Sequence, residues 1–338
     1  MILLTTPDYP PKLGGLATHT QNVEKVLRAL GLEYRLFVWK SYRDIVRFPR
    51  GELANFDYVF NIHSGMHMFM PPASARVVNF VNGAEILFYS PHPLKRLAKR
   101  LTRSSALQRV QQAHANFFIS QYTFEVLQRL GLRPSFDRDL ILPMCVETAG
   151  ERFVEKDWSA GPLRLICVAR DVPHKNFAGC IALAEFVQDI AGRQVELVTV
   201  TNREFRSDKI RIESHINPSN EVRDELLRGA HLNLLLSLNH EERGFFEGFG
   251  QIVQEAAIFG TPSLVLATGG LPESVHHQQT GWVLPDLSPE ALRSWWQGMS
   301  SESYRQVARF AHQHTLRSHG LDAWRRMFAR VFSVTEGP

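Results

Sequence analysis

Short apolar runs alternate with longer helical patterns along the whole chain. Runs of strand length fall at 1–5, 34–39, 58–62, 76–81 and 116–119, and a helical pattern covers 16–30. The second half repeats the style, with strands expected at 163–169, 195–200, 210–214, 232–238 and 263–267. Helices are expected at 176–191, 219–229 and 251–259 between them, and at 289–299, 302–314 and 321–332 after the last strand. Strand-then-helix alternation predicts an α/β protein with parallel sheets, because a parallel pair needs a crossover long enough for a helix. The run 232–238 is the densest apolar stretch of the chain, as suits a strand covered on both faces. Two similar halves, joined through the weakly periodic stretch 147–162, point to two domains.

Composition agrees. The 338 residues are 44% hydrophobic and 21% charged, with net charge +4, which excludes a disordered chain. No run approaches the length of a membrane span, and the apolar start is too short for a signal peptide. The three cysteines, Cys145, Cys167 and Cys180, lie in apolar surroundings without metal-site spacing, so they are expected to be reduced core residues. A cytoplasmic protein is expected.

The chemistry concentrates in the stretch Glu247-Gly-Phe-Gly-Gln-Ile-Val-Gln-Glu255. Gly248 and Gly250 let the backbone approach a ligand closely. The helix expected from Gln251 offers unpaired N–H groups, which suit a phosphate. Glu247 precedes the helix and Glu255 lies about one turn into it, so two carboxylates can reach opposite ends of one ligand and accept bonds from sugar hydroxyls.

This E-x7-E pattern, with the downstream Gly260-Thr-Pro and Gly269-Gly270-Leu-Pro-Glu273, closely resembles the retaining glycosyltransferases of the GT-B fold, family 4, the glycosyl transferases of group 1. Pro11-Lys-Leu-Gly14-Gly15-Leu-Ala-Thr-His19 looks like that family's glycine-rich first loop. Arg170-Asp-Val-Pro-His-Lys175-Asn176 is similar to its basic phosphate-binding element, and Ile119-Ser-Gln-Tyr-Thr to its strand-to-helix turn. The resemblance implies two Rossmann-like domains with parallel sheets facing across a cleft. Residues 1–150 would bind the acceptor, 151–318 the nucleotide sugar, and 319–338 would form a helix crossing back to the first domain.

The resemblance also implies roles. Arg170 and Lys175 would neutralise the donor diphosphate, making it a better leaving group, and Glu247 would hold donor-sugar hydroxyls. Phe249, Gly250, Gln251 and Ile252 would supply backbone contacts, Glu255 would bind the ribose, and Gly15 would let the first loop approach the phosphates. His19, His63, Asn82 and Glu85 are candidates on the acceptor side. No metal and no cofactor are expected; the donor would be a UDP-, GDP- or other nucleotide-diphosphate sugar. The reaction would transfer a hexose-type sugar to a hydroxyl of a glycan or lipid-linked acceptor, as in bacterial surface polysaccharide or lipopolysaccharide synthesis.

Three stretches depart from the pattern. Asn82 stands where many relatives carry histidine, the strand at 195–200 ends in Thr-Asn rather than glycine, and the loop 239–246 is long, so donor or acceptor selection can differ there. Two rivals keep the fold: a catalytically inactive sugar-nucleotide-binding partner of another transferase, and a sugar-nucleotide epimerase. A nicotinamide dehydrogenase is disfavoured, because no GxGxxG follows the first strand.

One further stretch stands out. In Pro93-Leu-Lys95-Arg96-Leu-Ala-Lys99-Arg100-Leu-Thr-Arg103, leucines recur at helical spacing among five basic residues. It reads either as a solvated helix packed on the first domain or as a helix lying on an anionic membrane, which would place the protein peripherally on the inner face of the cell membrane. The cluster lacks interleaved aromatics, so nucleic acid is not an expected partner.

Overall fold

The structure, a computed structural model, describes residues 1–10, 15–63, 75–87, 89–147 and 153–333. Gly14 and the rest of 11–14 lie outside the described residues, as do 148–152 of the expected linker. The chain divides into two compact units, Met1–Glu147 with His240–Phe249 and His319–Pro338, and Thr148–Asn239 with Gly250–Ser318.

The first unit begins β1 (Ile2–Thr6), α1 (Gly15–Ala29), β2 (Tyr34–Val38), α2 (Tyr42–Arg47), β3 (Tyr58–Asn61) and β4 (Arg76–Val81). It continues with α3 (Pro93–Gln111), β5 (Ala115–Phe118), α4 (Gln121–Arg129) and β6 (Asp139–Ile141). Its six strands are all parallel, in the order β2-β1-β3-β4-β5-β6. The central strands are buried on both faces, which is why they read as largely apolar runs.

One row of this sheet is polar. Thr5, Asn61, Asn79, Asn116 and Asp139 stand opposite one another in register across β1, β3, β4, β5 and β6. Each side chain bonds the next: Thr5 to Asn61 at 2.9 Å, Asn61 to Asn79 at 3.0 Å, Asn79 to Asn116 at 2.8 Å and Asn116 to Asp139 at 2.7 Å. A continuous chain of amides satisfies polar groups that burial would otherwise penalise.

The second unit contains β7 (Leu163–Val168), α5 (Phe177–Ala191), β8 (Val195–Thr201), β9 (Arg211–Ile216), α6 (Asn220–Gly229) and β10 (Leu232–Leu235). Then come α7 (Gln251–Ala257), β11 (Ser263–Leu266), α8 (Leu271–Ser274), β12 (Gly281–Leu284), α9 (Pro289–Gln297) and α10 (Ser301–His319). Its sheet, also parallel, has the order β12-β11-β10-β7-β8-β9. The final helix, α11 (Leu321–Ser333), puts Trp324 and Phe328 among Phe60, Phe80 and Phe117 in the core of the first unit.

Most expected elements are present, and the differences have local causes. The run 232–238 is a strand only to Leu235, because the backbone beyond turns to other partners. The Leu236 carbonyl accepts from the Asn176 side chain at 3.1 Å, and the Leu238 N–H donates to the His174 carbonyl at 2.7 Å. The short strands β6 and β12, of three and four residues, are additions to the expected set. The helix expected at 302–314 extends to His319.

Candidate active site

In the second unit the basic element follows β7 directly. Arg170 is exposed at the strand's C-terminal end, where open α/β sheets place ligands. Lys175 is half-buried in the 3₁₀ turn Pro173–Lys175. Asn176 then starts α5 in a left-handed conformation, φ 54°, that asparagine tolerates better than most residues. Its side chain accepts from the Gly179 N–H at 3.1 Å, capping the helix. A Cβ on Gly179 would come within 2.4 Å of that amide, so the cap fits only over glycine. The Thr-Asn ending of β8 has a use here: the Asn202 side-chain oxygen accepts from the Asp171 N–H at 2.6 Å, tying the basic turn to the neighbouring strand end.

The second element straddles the division of the chain. Glu247 and Phe249 belong to the first unit, whereas Gly250, Gln251, Ile252 and Glu255 belong to the second. Residues 240–249 are secured within the first unit at several points. Arg129 pairs with Glu241 at 2.9 Å, the Tyr122 hydroxyl donates to the same carboxylate, and Phe246 packs with Val81 and Ile86. Gly248 lies so close to the Asn82 carbonyl that a Cβ would sit 2.8 Å from its oxygen. Phe249 is buried with Ile119 and Met144. Glu247, half-buried, is therefore held between two fixed neighbours, beside the end of β4 that delivers Asn82.

Gly250 precedes α7 at φ 83°, with Leu235 and Leu271 against it, so both its backbone angle and its surroundings require glycine. Gln251 has both amide atoms buried with no bonded partner among the described residues. Ile252 packs partly against Val253 and Leu271. Glu255 is largely buried, 3.7 Å from the Arg223 guanidinium. Burial pushes its carboxyl above the usual range, Arg223 pulls it down, and Asp224 pushes it up again. Arg223 itself is bonded to Asp224 at 2.8 Å. Neither Arg223 nor Asp224 was anticipated, because in Asn-Glu-Val-Arg-Asp-Glu they have the charge pattern of an ordinary solvated helix.

The first-unit candidates have different surroundings. Gly15, exposed, opens α1. His19 is buried, its ring edge-on to Phe80 and Trp324, and neither ring nitrogen has a bonded partner among the described residues. Burial lowers its pKa to about 3. His63 follows β3 with its ring 6.0 Å from that of Trp39. Asn82 donates its amide to the Ile62 carbonyl at 2.6 Å, tying the ends of β3 and β4 together. Glu85 lies in the 3₁₀ turn Ala84–Leu87, its side chain outside the described residues. Among the described residues no group of three or more His, Cys, Asp or Glu gathers to hold a metal ion.

Residues 151–294 match the model of the family described as glycosyl transferases group 1. A search of curated proteins returns no match to this chain. Among solved structures, HepE of Anabaena, crystallised with UDP and glucose, is similar at TM-score 0.70 and 13% identity, covering 98% of this chain and 99% of its own. Sucrose-phosphate synthase of Thermosynechococcus elongatus is similar at TM-score 0.75 and 14% identity, over 99% of this chain and 98% of its own. A glycosyltransferase of Rickettsia africae gives TM-score 0.71 and 14% identity over 100% and 99%. At such identities these structures speak to the fold, which is GT-B; the family match within the second half makes the protein a glycosyltransferase.

Proposed function

We propose that the protein is a family 4 enzyme that transfers a hexose-type sugar from a nucleotide-diphosphate sugar to an acceptor hydroxyl, with retention of anomeric configuration. Supporting this is the junction from Glu247 to Glu255 inside the family-matched stretch, where the left-handed Gly250 starts α7 after the first carboxylate and ahead of the second. Arg170 and Lys175 carry the charge of the diphosphate without a metal, and Gly15 is the donor-binding candidate of the first unit. Glu255 accepts the ribose hydroxyls and Glu247 those of the sugar, while Phe249, Gly250, Gln251 and Ile252 line the backbone between them. HepE, a neighbour in fold, was crystallised with UDP and with UDP-glucose, in keeping with such a donor.

In the proposed reaction the bond from the sugar C1 to the diphosphate oxygen breaks. A bond from C1 to the acceptor oxygen forms on the same face. The acceptor's proton passes to the departing diphosphate, so Asn82 need not act as a base. Asn82, Glu85, His63 and His19 lie on the unit that receives the acceptor, a glycan or lipid-linked intermediate of a bacterial surface polysaccharide or lipopolysaccharide. The enzyme would then work in the cytoplasm, at the inner face of the cell membrane. No helix among the described residues is long and apolar enough to cross a membrane.

A thermal-shift and calorimetric panel of UDP, GDP, ADP, TDP and CMP without added metal tests the reading. A ligand at 100 times its dissociation constant stabilises the fold by about 2.7 kcal/mol. One diphosphate should stand out, with the matching sugar nucleotide turned over only when acceptor is present. Stabilisation by none overturns the donor site; binding without turnover on any acceptor favours an inactive partner, and turnover without acceptor favours an epimerase.

A further inference from the structure

We propose that the outer face of α3 is a docking surface for an anionic lipid bilayer. The helix carries six Lys or Arg residues and no Asp or Glu. Its contribution to the core comes from its second half, where Ala106, Leu107 and Val110 are buried. The leucines of the first half do not share that face. Leu94, Leu97 and Leu101 are 74%, 56% and 76% exposed. Spaced at i, i+3 and i+7, they form one stripe. At about 100° per residue this stripe points away from the packed face, roughly half a turn around the helix. A solvated surface helix has the opposite polarity, with apolar residues inward and charge outward.

The cations are divided between two tasks. Arg96 donates to the Ser90 carbonyl at 2.9 Å and the Pro91 carbonyl at 3.2 Å, and Lys99 to the Tyr89 carbonyl at 2.8 Å. These two fasten the helix start to the preceding loop, so the stripe is presented on a fixed element. Lys95 and Arg100 are exposed and lie to either side of the stripe, and Arg103 is exposed on the far side of the helix. An apolar stripe rimmed by cations is suited to a bilayer interface, the leucines entering the acyl boundary and the basic heads staying among phosphates. The absence of any acidic residue from the helix favours an anionic surface over a neutral one. This inference specifies the surface behind the membrane placement proposed above and does not rest on the transfer chemistry.

The test is co-sedimentation of the full chain with phosphatidylcholine vesicles, with and without phosphatidylglycerol, in the absence of substrate. The parent should bind the anionic vesicles at least about tenfold more tightly than the neutral ones. The variant Leu94→Gln/Leu97→Gln/Leu101→Gln, with its charge unchanged, should lose about tenfold or more, as should Lys95→Gln/Arg100→Gln/Arg103→Gln. All six side chains are exposed, so both variants should melt like the parent. A parent that stays in the supernatant overturns the proposal, and so does a leucine variant that binds as well as the parent. Light scattering that shows a parent dimer, a monomeric leucine variant and no vesicle binding assigns the stripe to a second copy of the chain instead.

Discussion

Asn61 in β3 donates its side-chain amide to Asn79 in β4 at 3.0 Å, and both residues are completely buried. The two stand directly opposite in the parallel register, and Asn79 passes the chain on to Asn116. The amide row thus pins the two strands whose ends deliver His63 and Asn82. Asn79→Leu would remove one acceptor and one donor, stranding the Asn61 amide and the Asn116 carbonyl in the core. Each stranded group costs about 1–3 kcal/mol, so the unfolding free energy should fall by about 2–6 kcal/mol. Urea unfolding followed by tryptophan fluorescence measures it, and a loss below about 0.5 kcal/mol would show that the row contributes little.

The basic turn and the Glu247 loop yield a prediction for turnover. Lys175→Ala removes a cation from the place proposed for the diphosphate, and Glu247→Gln removes the charge that would hold the sugar. Loss of one such preorganised group costs about 10²–10³ in rate. Each variant should lose that much in kcat with the melting temperature kept, as neither side chain belongs to a core cluster. Rates within threefold of the parent would remove these residues from the mechanism.

The alternation of strands and helices made the sheets legible, since a buried parallel strand such as Leu163–Val168 is a mostly apolar run that needs no partner to be recognised. Glycines were legible for the same reason: the close approach at Gly248 and the left-handed turn at Gly250 each require a residue without a side chain. What escaped was pairing between distant positions. Nothing in the sequence links Asn61, Asn79 and Asn116, or sets Arg223 against Glu255, because register and helix rotation bring them together. The leucines of α3 show the complementary gap: their spacing announces a helix face, but only the packing of Ala106, Leu107 and Val110 tells which way it points.

The Arg223–Glu255 pair predicts a pH dependence of donor binding. A ribose hydroxyl donates to a carboxylate more strongly than to a carboxylic acid. Burial raises the Glu255 pKa above the ordinary 4.5 and Arg223 opposes the rise, so affinity for a nucleoside diphosphate should weaken on acidification while the pH is still above that value. Arg223→Leu removes the opposing charge, moving the loss to higher pH, and Arg223→Lys should restore most of the parent profile. Calorimetric titration across the acid range measures the effect, with inorganic pyrophosphate, which has no ribose, as the control. Identical profiles for parent and Arg223→Leu would count against the coupling.

His19 gives the final prediction, for stability in acid. Burial holds its folded-state pKa at about 3, below the ordinary 6.5 it regains on unfolding. Between those values the unfolded chain binds a proton that the folded one refuses. The contribution of His19 is therefore fully present above pH 6.5 and is lost progressively as pH falls toward 3, by about 1.4 kcal/mol per pH unit. The ring packs edge-on to Phe80 and Trp324, and its nitrogens have no bonded partner among the described residues, so an apolar side chain of similar size loses no hydrogen bond there. His19→Leu should accordingly match or exceed the parent's stability at neutral pH and outlast it increasingly below pH 6. The difference between the two urea-unfolding curves across pH cancels the titration of every other group. Parallel curves would mean that the imidazole accepts its proton without unfolding the helix that carries it.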